Sequence, residues 1–284
     1  KIFMHQLSEF NEGVLACVFD SLDRIQHMFW RYHPDIIEEW YVKLDRFVGR
    51  VEDKLQARGL DKARLLVVSD HGFANFDKKV HLNRWLIEHG NLIPGVEEES
   101  GKLADVDWQS TQAYGLGLNS IYFNLAGREG QGIVGENEIE GLAQKIKEQL
   151  LAWKDEDGNS VVQNVAVNQD ALSGPLAEYG PDLLVGYAPG YRASPQTGLG
   201  EWKKTSLENN NDHWAADHCI DPSAVPGVIF SNQGLGNFPE PSYRDFPLLA
   251  TGEAVQGGAS SPPPSISDED QEKLEERLKS LGYL

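Results

Sequence analysis

The sequence predicts an α/β fold built on a parallel sheet, and three observations predict it. Residues 13–19 (GVLACVF) form a continuous apolar run that ends at Asp20-Ser21-Leu22-Asp23. Across residues 34–56, Ile36, Ile37, Trp40, Leu44, Phe47, Val48, Val51 and Leu55 recur every three or four positions with charges between them. Residues 64–69 (RLLVVS) form a second apolar run, which stops at Asp70-His71-Gly72. Short continuous apolar runs read as strands buried on both faces, and the 3.6-residue period reads as an amphipathic helix. Strand, helix, strand in that order is the signature of a parallel sheet with a crossover helix.

The remaining elements follow in order. Gly59 stops the long helix. Residues 82–89 (LNRWLIEH) read as a short helix ending at Gly90, and the acidic stretch 94–109 as a surface loop. Residues 120–124 (SIYFN) are a strand. Residues 136–153 are an amphipathic helix with Ile139, Leu142, Ala143, Ile146 and Leu150 on one face. Asp155-Glu156-Asp157-Gly158-Asn159 is a turn that resembles the start of a calcium loop but lacks its later ligands. Further strands are expected at 161–167, 182–186 and 225–230. Three prolines within 260–265 make a linker, and Ser267, followed by Asp268, Glu269 and Asp270, caps a last helix. The organisation is one α/β domain over 1–259 with an insert or cap region inside 74–200, a linker at 260–266, and a C-terminal helix at 267–284.

Composition narrows the function. The net charge of −19 argues against binding nucleic-acid duplexes, whose phosphates recruit Lys and Arg. No run is long enough to span a membrane. Cys17 and Cys219 are too few for a disulfide framework and read as buried free thiols. The chain starts without Met and a strand is expected almost at once, so the native N-terminus is expected upstream and localisation stays open.

Three clusters carry chemistry. Asp70 and His71 stand where a strand ends, the place where open α/β sheets bind ligands, and Gly72 lets the backbone turn or a ligand approach. Asp23 and His27 are four residues apart and share one face of a helical turn, so both can reach one ion. Asp212-His213-Trp214-Ala215-Ala216-Asp217-His218 supplies further imidazoles, of which His218 is preferred to His213 because it lies closer to the next strand. Tyr191 and Arg192 follow a strand and are candidates for lining a substrate pocket, while Gly127-Arg128-Glu129-Gly130 reads as a turn. No Walker-type loop or dinucleotide fingerprint is present.

With these clusters in view the chain resembles the alkaline phosphatase superfamily, and within it the type I phosphodiesterase/nucleotide pyrophosphatase branch. The matching words are LDRIQHMFW (22–30), VVSDHGF (67–73), HLNRWL (81–86), DWQSTQAYGLGLNSIYFNLAGREGQGIV (107–134), PDLLVGY (181–187) and DHCIDPSAVPGVIFSN (217–232). The resemblance implies a doubly wound, mostly parallel sheet and two divalent metal ions, zinc first, with manganese or iron as alternatives. It places Asp23, His27 and His218 on one metal and Asp70 and His71 on the other. It also implies an Asp ligand and a Thr or Ser nucleophile on an earlier segment, to which no residue here corresponds, so the chain is expected to be an N-terminally truncated part of such an enzyme. The implied reaction is metal-assisted, in-line hydrolysis of a small phosphodiester or nucleotide pyrophosphate. The alternatives are a phosphomonoesterase, phosphonate hydrolase, sulfatase or phosphoglycerate mutase, or a non-catalytic module that keeps the fold.

Overall fold

Apolar periodicity decides the first half of the molecule. The computed structural model describes residues 1–96, 99–172, 174, 176–235 and 241–251. Helices α1 (Ile2–Glu9) and α2 (Ser21–Phe29) precede α3 (Pro34–Ala57), which carries Pro34 in its first turn, where a missing N–H costs nothing. Strands β1 (Leu66–Val68) and β2 (Ala74–Val80) lead into α4 (Leu82–Glu88), β3 (Gly101–Lys102), β4 (Ala113–Gly115) and β5 (Ser120–Phe123). Then come α5 (Ile139–Ala152), β6 (Val162–Val167), α6 (Asn168–Ala171), β7 (Leu183–Tyr187), β8 (Gly190–Ala193) and α7 (Pro195–Gly198). The described chain closes with β9 (Glu201–Trp202), β10 (Leu207–Asn209), β11 (Ala216–Asp217), β12 (Ile229–Ser231) and α8 (Phe246–Thr251). The expected linker and C-terminal helix lie outside the described residues.

The protein is α/β, but its sheets differ from the expected one. Strands β4, β5, β7 and β6 form an antiparallel sheet in that order. Strand β2 is flanked by antiparallel β10 and β11 and by parallel β8. Strands β1 and β12 form an antiparallel pair, as do β3 and β9. Among the described residues β2–β8 is thus the one parallel pairing between strands, and these residues do not by themselves show a doubly wound, mostly parallel sheet.

Two expected buried strands are corrected for a common reason. Residues 14–20 have no regular structure, and Val14, Val18 and Phe19 are exposed. Strand β1 forms where expected but among the described residues is bordered only by β12, so Val67 and Val68 stay exposed rather than buried on both faces. An apolar run records what a segment tolerates, not whether a neighbour covers it. Residues 225–228 are irregular, and only the end of that predicted strand joins β12. The strand expected near the first residue is α1, and Cys17, expected buried, is exposed.

The core lies where helices α4 and α5 and their neighbours meet the four-stranded sheet. Trp85 and Leu86 of α4, Ile146 and Leu150 of α5, Ile121 and Phe123 of β5, and Leu183 of β7 are fully enclosed. Each such side chain contributes roughly 1.5–3 kcal/mol of burial. Polar ties lock the connections. Arg128 donates to both oxygens of Asp182 at 3.3 and 2.7 Å, and Asp182 also accepts from the N–H of Phe123 at 2.7 Å. The Arg128 turn is therefore braced internally. At the Asp155 turn, Lys78 Nζ sits 2.8 Å from the Asp155 carboxylate and 3.6 and 3.8 Å from those of Glu156 and Asp157. A single ammonium group thus faces the three carboxylates of this acidic hairpin.

Candidate metal centre

Asp23 and His27 occupy one face of α2, as their four-residue spacing requires. The third arm comes from 195 positions later in the chain, where β11 runs antiparallel to the start of β2 and delivers His218 just beyond its end. His27 Nε2 and His218 Nε2 each lie 3.6 Å from the same oxygen, Asp23 Oδ1. That oxygen is enclosed and has no hydrogen-bond partner among the described residues. The ligating atoms of Asp23, His27 and His218 all fall within 4.8 Å of one another. A buried acceptor without a partner is costly, and a cation between the three groups would satisfy it. One carboxylate and two imidazoles form a donor set that fits a divalent transition metal, with further positions open.

The imidazoles are oriented for that task. His27 Nδ1 is 3.1 Å from the carbonyl oxygen of Ala216, which can only accept, so Nδ1 carries the proton and Nε2 presents its lone pair. Burial, reinforced by the neighbouring His71 and His27, holds the His218 imidazole below its ordinary pKa despite the pull of Asp217 and Asp23. Its neutral form, the one that coordinates, is therefore favoured. Rings of Phe73 and Trp214 lie 4.8 and 4.5 Å from the His27 ring and restrict its rotation.

The second pair stands beside the first. The His71 ring stacks on His218 at 3.5 Å and 10°. His71 Nδ1 lies 3.0 Å from the Gly72 carbonyl oxygen, and its Nε2 lies 3.6 Å from Asp70 Oδ1. Asp70 is open to solvent, and among the described residues no third donor joins this pair. Gly72 serves a close approach: its N–H donates to Val225 at 2.9 Å, and a Cβ there would meet the Pro226 carbonyl oxygen at 3.0 Å. This contact ties the Asp70-His71 turn to the segment that follows His218.

Other donors are excluded by their own partners. Asp217, His218 and Cys219 also cluster, but all four lone-pair directions of Asp217 are used. Its Oδ1 accepts from the N–H groups of His218 and Cys219 at 2.7 and 2.9 Å, and its Oδ2 from Trp214 Nε1 at 3.1 Å and from Arg192 Nε. Burial would raise the Asp217 pKa, but Arg192 and the Cys219 N–H outweigh it and hold it at about 2. Burial and the adjacent Asp217 push the Cys219 thiol up to about 12, far from the thiolate a metal needs. His213 is exposed and joins no donor group among the described residues. Tyr191 is buried with its hydroxyl donating to Asp155 at 2.7 Å, and Arg192 is spent on Asp217 and the Ala193 carbonyl, so in the segment expected to line a pocket, which forms β8, both side chains are committed to partners within the protein. The role of Asp217 and its tie to Arg192 were not foreseen, because a 25-residue separation leaves no local pattern.

A family model described as type I phosphodiesterase/nucleotide pyrophosphatase matches residues 5–213. The chain belongs to this family. In this type I phosphodiesterase/nucleotide pyrophosphatase chain the matched span holds Asp23, His27, Asp70 and His71, whereas His218 lies five residues past its end. Solved structures similar to the chain include human ectonucleotide pyrophosphatase/phosphodiesterase 5, at 12% identity and a TM-score of 0.38, with 74% of this chain and 44% of that one covered. The murine protein of the same name matches at 11% identity and a TM-score of 0.37, with the same coverage. The chain thus spans less than half the length of these structures. Comparison with curated proteins returns no match. No helix among the described residues is long and apolar enough to cross a membrane.

Proposed function

We propose that the chain is the metal-binding part of a hydrolase acting on phosphodiester or nucleotide pyrophosphate bonds. The observation that carries this reading is Asp23 Oδ1, enclosed, without a hydrogen-bond partner among the described residues, and flanked at 3.6 Å by two imidazole nitrogens. Family membership supplies the reaction class, and the ligand chemistry suits zinc, with manganese or iron as alternatives. A divalent cation held there supplies Lewis-acid charge to a phosphoryl oxygen and lowers the pKa of an oxygen nucleophile.

Asp23, His27 and His218 hold and charge-balance one cation in this proposal. Asp70 and His71 contribute to a second, whose other ligands and nucleophile lie on polypeptide outside this chain. The open faces of β1 and of residues 14–19 support such a completing segment, because apolar side chains of strands seldom stay exposed together in a finished sheet. On that completed sheet the mostly parallel, doubly wound order is proposed. The substrate is a small phosphate ester or nucleotide. The chain alone is expected to bind metal and to turn over substrate negligibly.

Zinc titration with metal analysis tests the proposal. Wild type is expected to hold one tightly bound ion, His218→Ala to lose it, and His213→Ala to keep it. Retention of the ion by His218→Ala would overturn the assignment.

A further inference from the structure

We infer that Arg192 and Asp217 form a positioning pair that sets both histidine arms of the metal centre, and that neither contacts metal or substrate. The inference rests on the metal-centre reading above and extends it from the three ligands to the groups that aim them.

The geometry runs outward from β8. The Arg192 guanidinium is fixed, since its Nη1 donates to the Ala193 carbonyl at 2.8 Å, and it lies 5.6 and 5.4 Å from the ring centres of Phe76 and Trp214. Nε donates to Asp217 Oδ2. Asp217 is almost completely buried on β11 and turns that one charge contact into two orienting effects. Its Oδ1 gathers the N–H groups of His218 and Cys219, which bends the chain so that His218 leaves β11 toward Asp23. The Ala216 carbonyl, in the peptide just before the anchored Asp217, lies 3.1 Å from His27 Nδ1, with Asp217 Oδ2 itself 3.9 Å from that nitrogen. One clamp therefore sets the path of His218 and the tautomer and tilt of His27.

An alternative would make Asp217 a ligand or Arg192 a phosphate contact. Four donors already saturate the carboxylate, and the two guanidinium nitrogens with partners face inward from a side chain 13% exposed. Groups that orient metal-bound histidines typically change affinity by about 10- to 100-fold when lost, without removing the site. A lysine in place of Arg192 would keep the charge but lose the planar, two-point anchorage.

Zinc affinity of the 284-residue chain, measured by competition with a chromophoric chelator, tests this directly. Asp217→Asn and Arg192→Lys are each expected to weaken zinc binding by at least about 10-fold while keeping one ion at saturation. The visible spectrum of the cobalt-substituted protein should shift in both, because ligand angles change. Thermal unfolding without metal separates a purely structural role, which would lower the melting temperature and leave affinity and spectrum intact. Should Asp217→Asn fail to fold, Trp214→Phe removes one donor to the same oxygen at an exposed position and should still move the cobalt spectrum. Affinity within twofold of wild type with an unchanged cobalt spectrum would overturn the inference. If His218→Ala loses the ion while these variants do not respond, the positioning role alone fails. If wild type binds no zinc, or His218→Ala keeps it, the metal-centre reading fails and the inference with it.

Discussion

Replacing Asp23 with Asn should uncouple stability from metal binding, with effects of opposite sign. Without metal, Asp23 Oδ1 is enclosed between two imidazole nitrogens and has no hydrogen-bond partner among the described residues. An unmade buried acceptor costs about 1–3 kcal/mol, and the 40% exposure of the Asp23 side chain places this case near the lower limit. An Asn amide is the same size and can turn its N–H toward the lone pair of His27 Nε2, so the metal-free variant should gain about 1 kcal/mol. In a domain of this size that raises the melting temperature by about 2–4 °C. Zinc at a hundred times its dissociation constant should stabilise wild type by about 2.7 kcal/mol. That amounts to a rise of about 5–11 °C. The variant lacks the charged arm and should show almost none of it. Thermal unfolding with and without zinc, followed by far-UV circular dichroism, reads both effects. A zinc-dependent rise of wild-type size in Asp23→Asn would refute the assignment of this carboxylate, and a fall of several degrees in its metal-free form would refute the account of the orphaned oxygen.

Three further outcomes follow from polar and steric contacts away from the centre. Asp182→Ala strips Arg128 of its bidentate partner and leaves the Phe123 N–H unpaired, so denaturant unfolding should show a loss of about 3–5 kcal/mol; a loss below about 1 kcal/mol would contradict this. His81 is fully buried, and burial lowers its pKa more than Glu208 raises it. Unfolding therefore takes up a proton near pH 6, and stability should be complete above the unfolded value of about 6.5 and fall below it. His81→Gln should flatten that part of the melting-temperature profile, and an unchanged slope would show that other groups set it. Gly132→Ala would drive a Cβ into the Leu125 carbonyl oxygen, so the backbone must shift, and a destabilisation of at least about 1–3 kcal/mol is expected in the same unfolding assay.

How much was legible in the sequence depended on how local the cause was. The stripe from Ile36 to Leu55 gave α3, and the stripe through Leu142, Ala143, Ile146 and Leu150 gave α5, because each helix carries its own period. The four-residue step from Asp23 to His27 placed two donors on one face before any tertiary contact was known. Sheet order was not legible, since the pairing of β1 with β12 joins residues 66–68 to residues 229–231, and nothing near Leu66 announces an antiparallel partner. Strand β2 was missed altogether. In its sequence ANFDKKV, Ala74, Phe76 and Val80 alternate with Asn75, Asp77 and Lys79, but Lys78 interrupts the apolar face, and the strand is held by β8, β10 and β11 around it. The runs at 14–19 and 66–68 misled because apolar composition indicates burial only when a covering layer exists.

The histidines show why residue type and motif alone could not sort ligands from supports. His27 and His71 each place Nδ1 against a main-chain carbonyl, of Ala216 and Gly72, and so present Nε2 with its lone pair free. His81 follows a strand and precedes a helix much as a ligand might, yet both of its nitrogens are occupied. Nε2 lies 3.1 Å from Glu208, and Nδ1 lies 3.0 Å from the Ser194 hydroxyl. Serine, histidine and glutamate in a row resemble a nucleophile with its base, but Ser194 is fully buried and its oxygen accepts from the Thr197 N–H as the cap of α7. No attacking geometry is open to an enclosed hydroxyl already committed as an acceptor. The neutral His81 instead joins the end of β2 to α7 and β10, with Nε2–H donating to Glu208 and Nδ1 accepting from Ser194. What separates His27 and His71 from this structural histidine is therefore the partner of the second nitrogen: a carbonyl frees the opposite nitrogen to coordinate, whereas two side-chain partners leave nothing to offer.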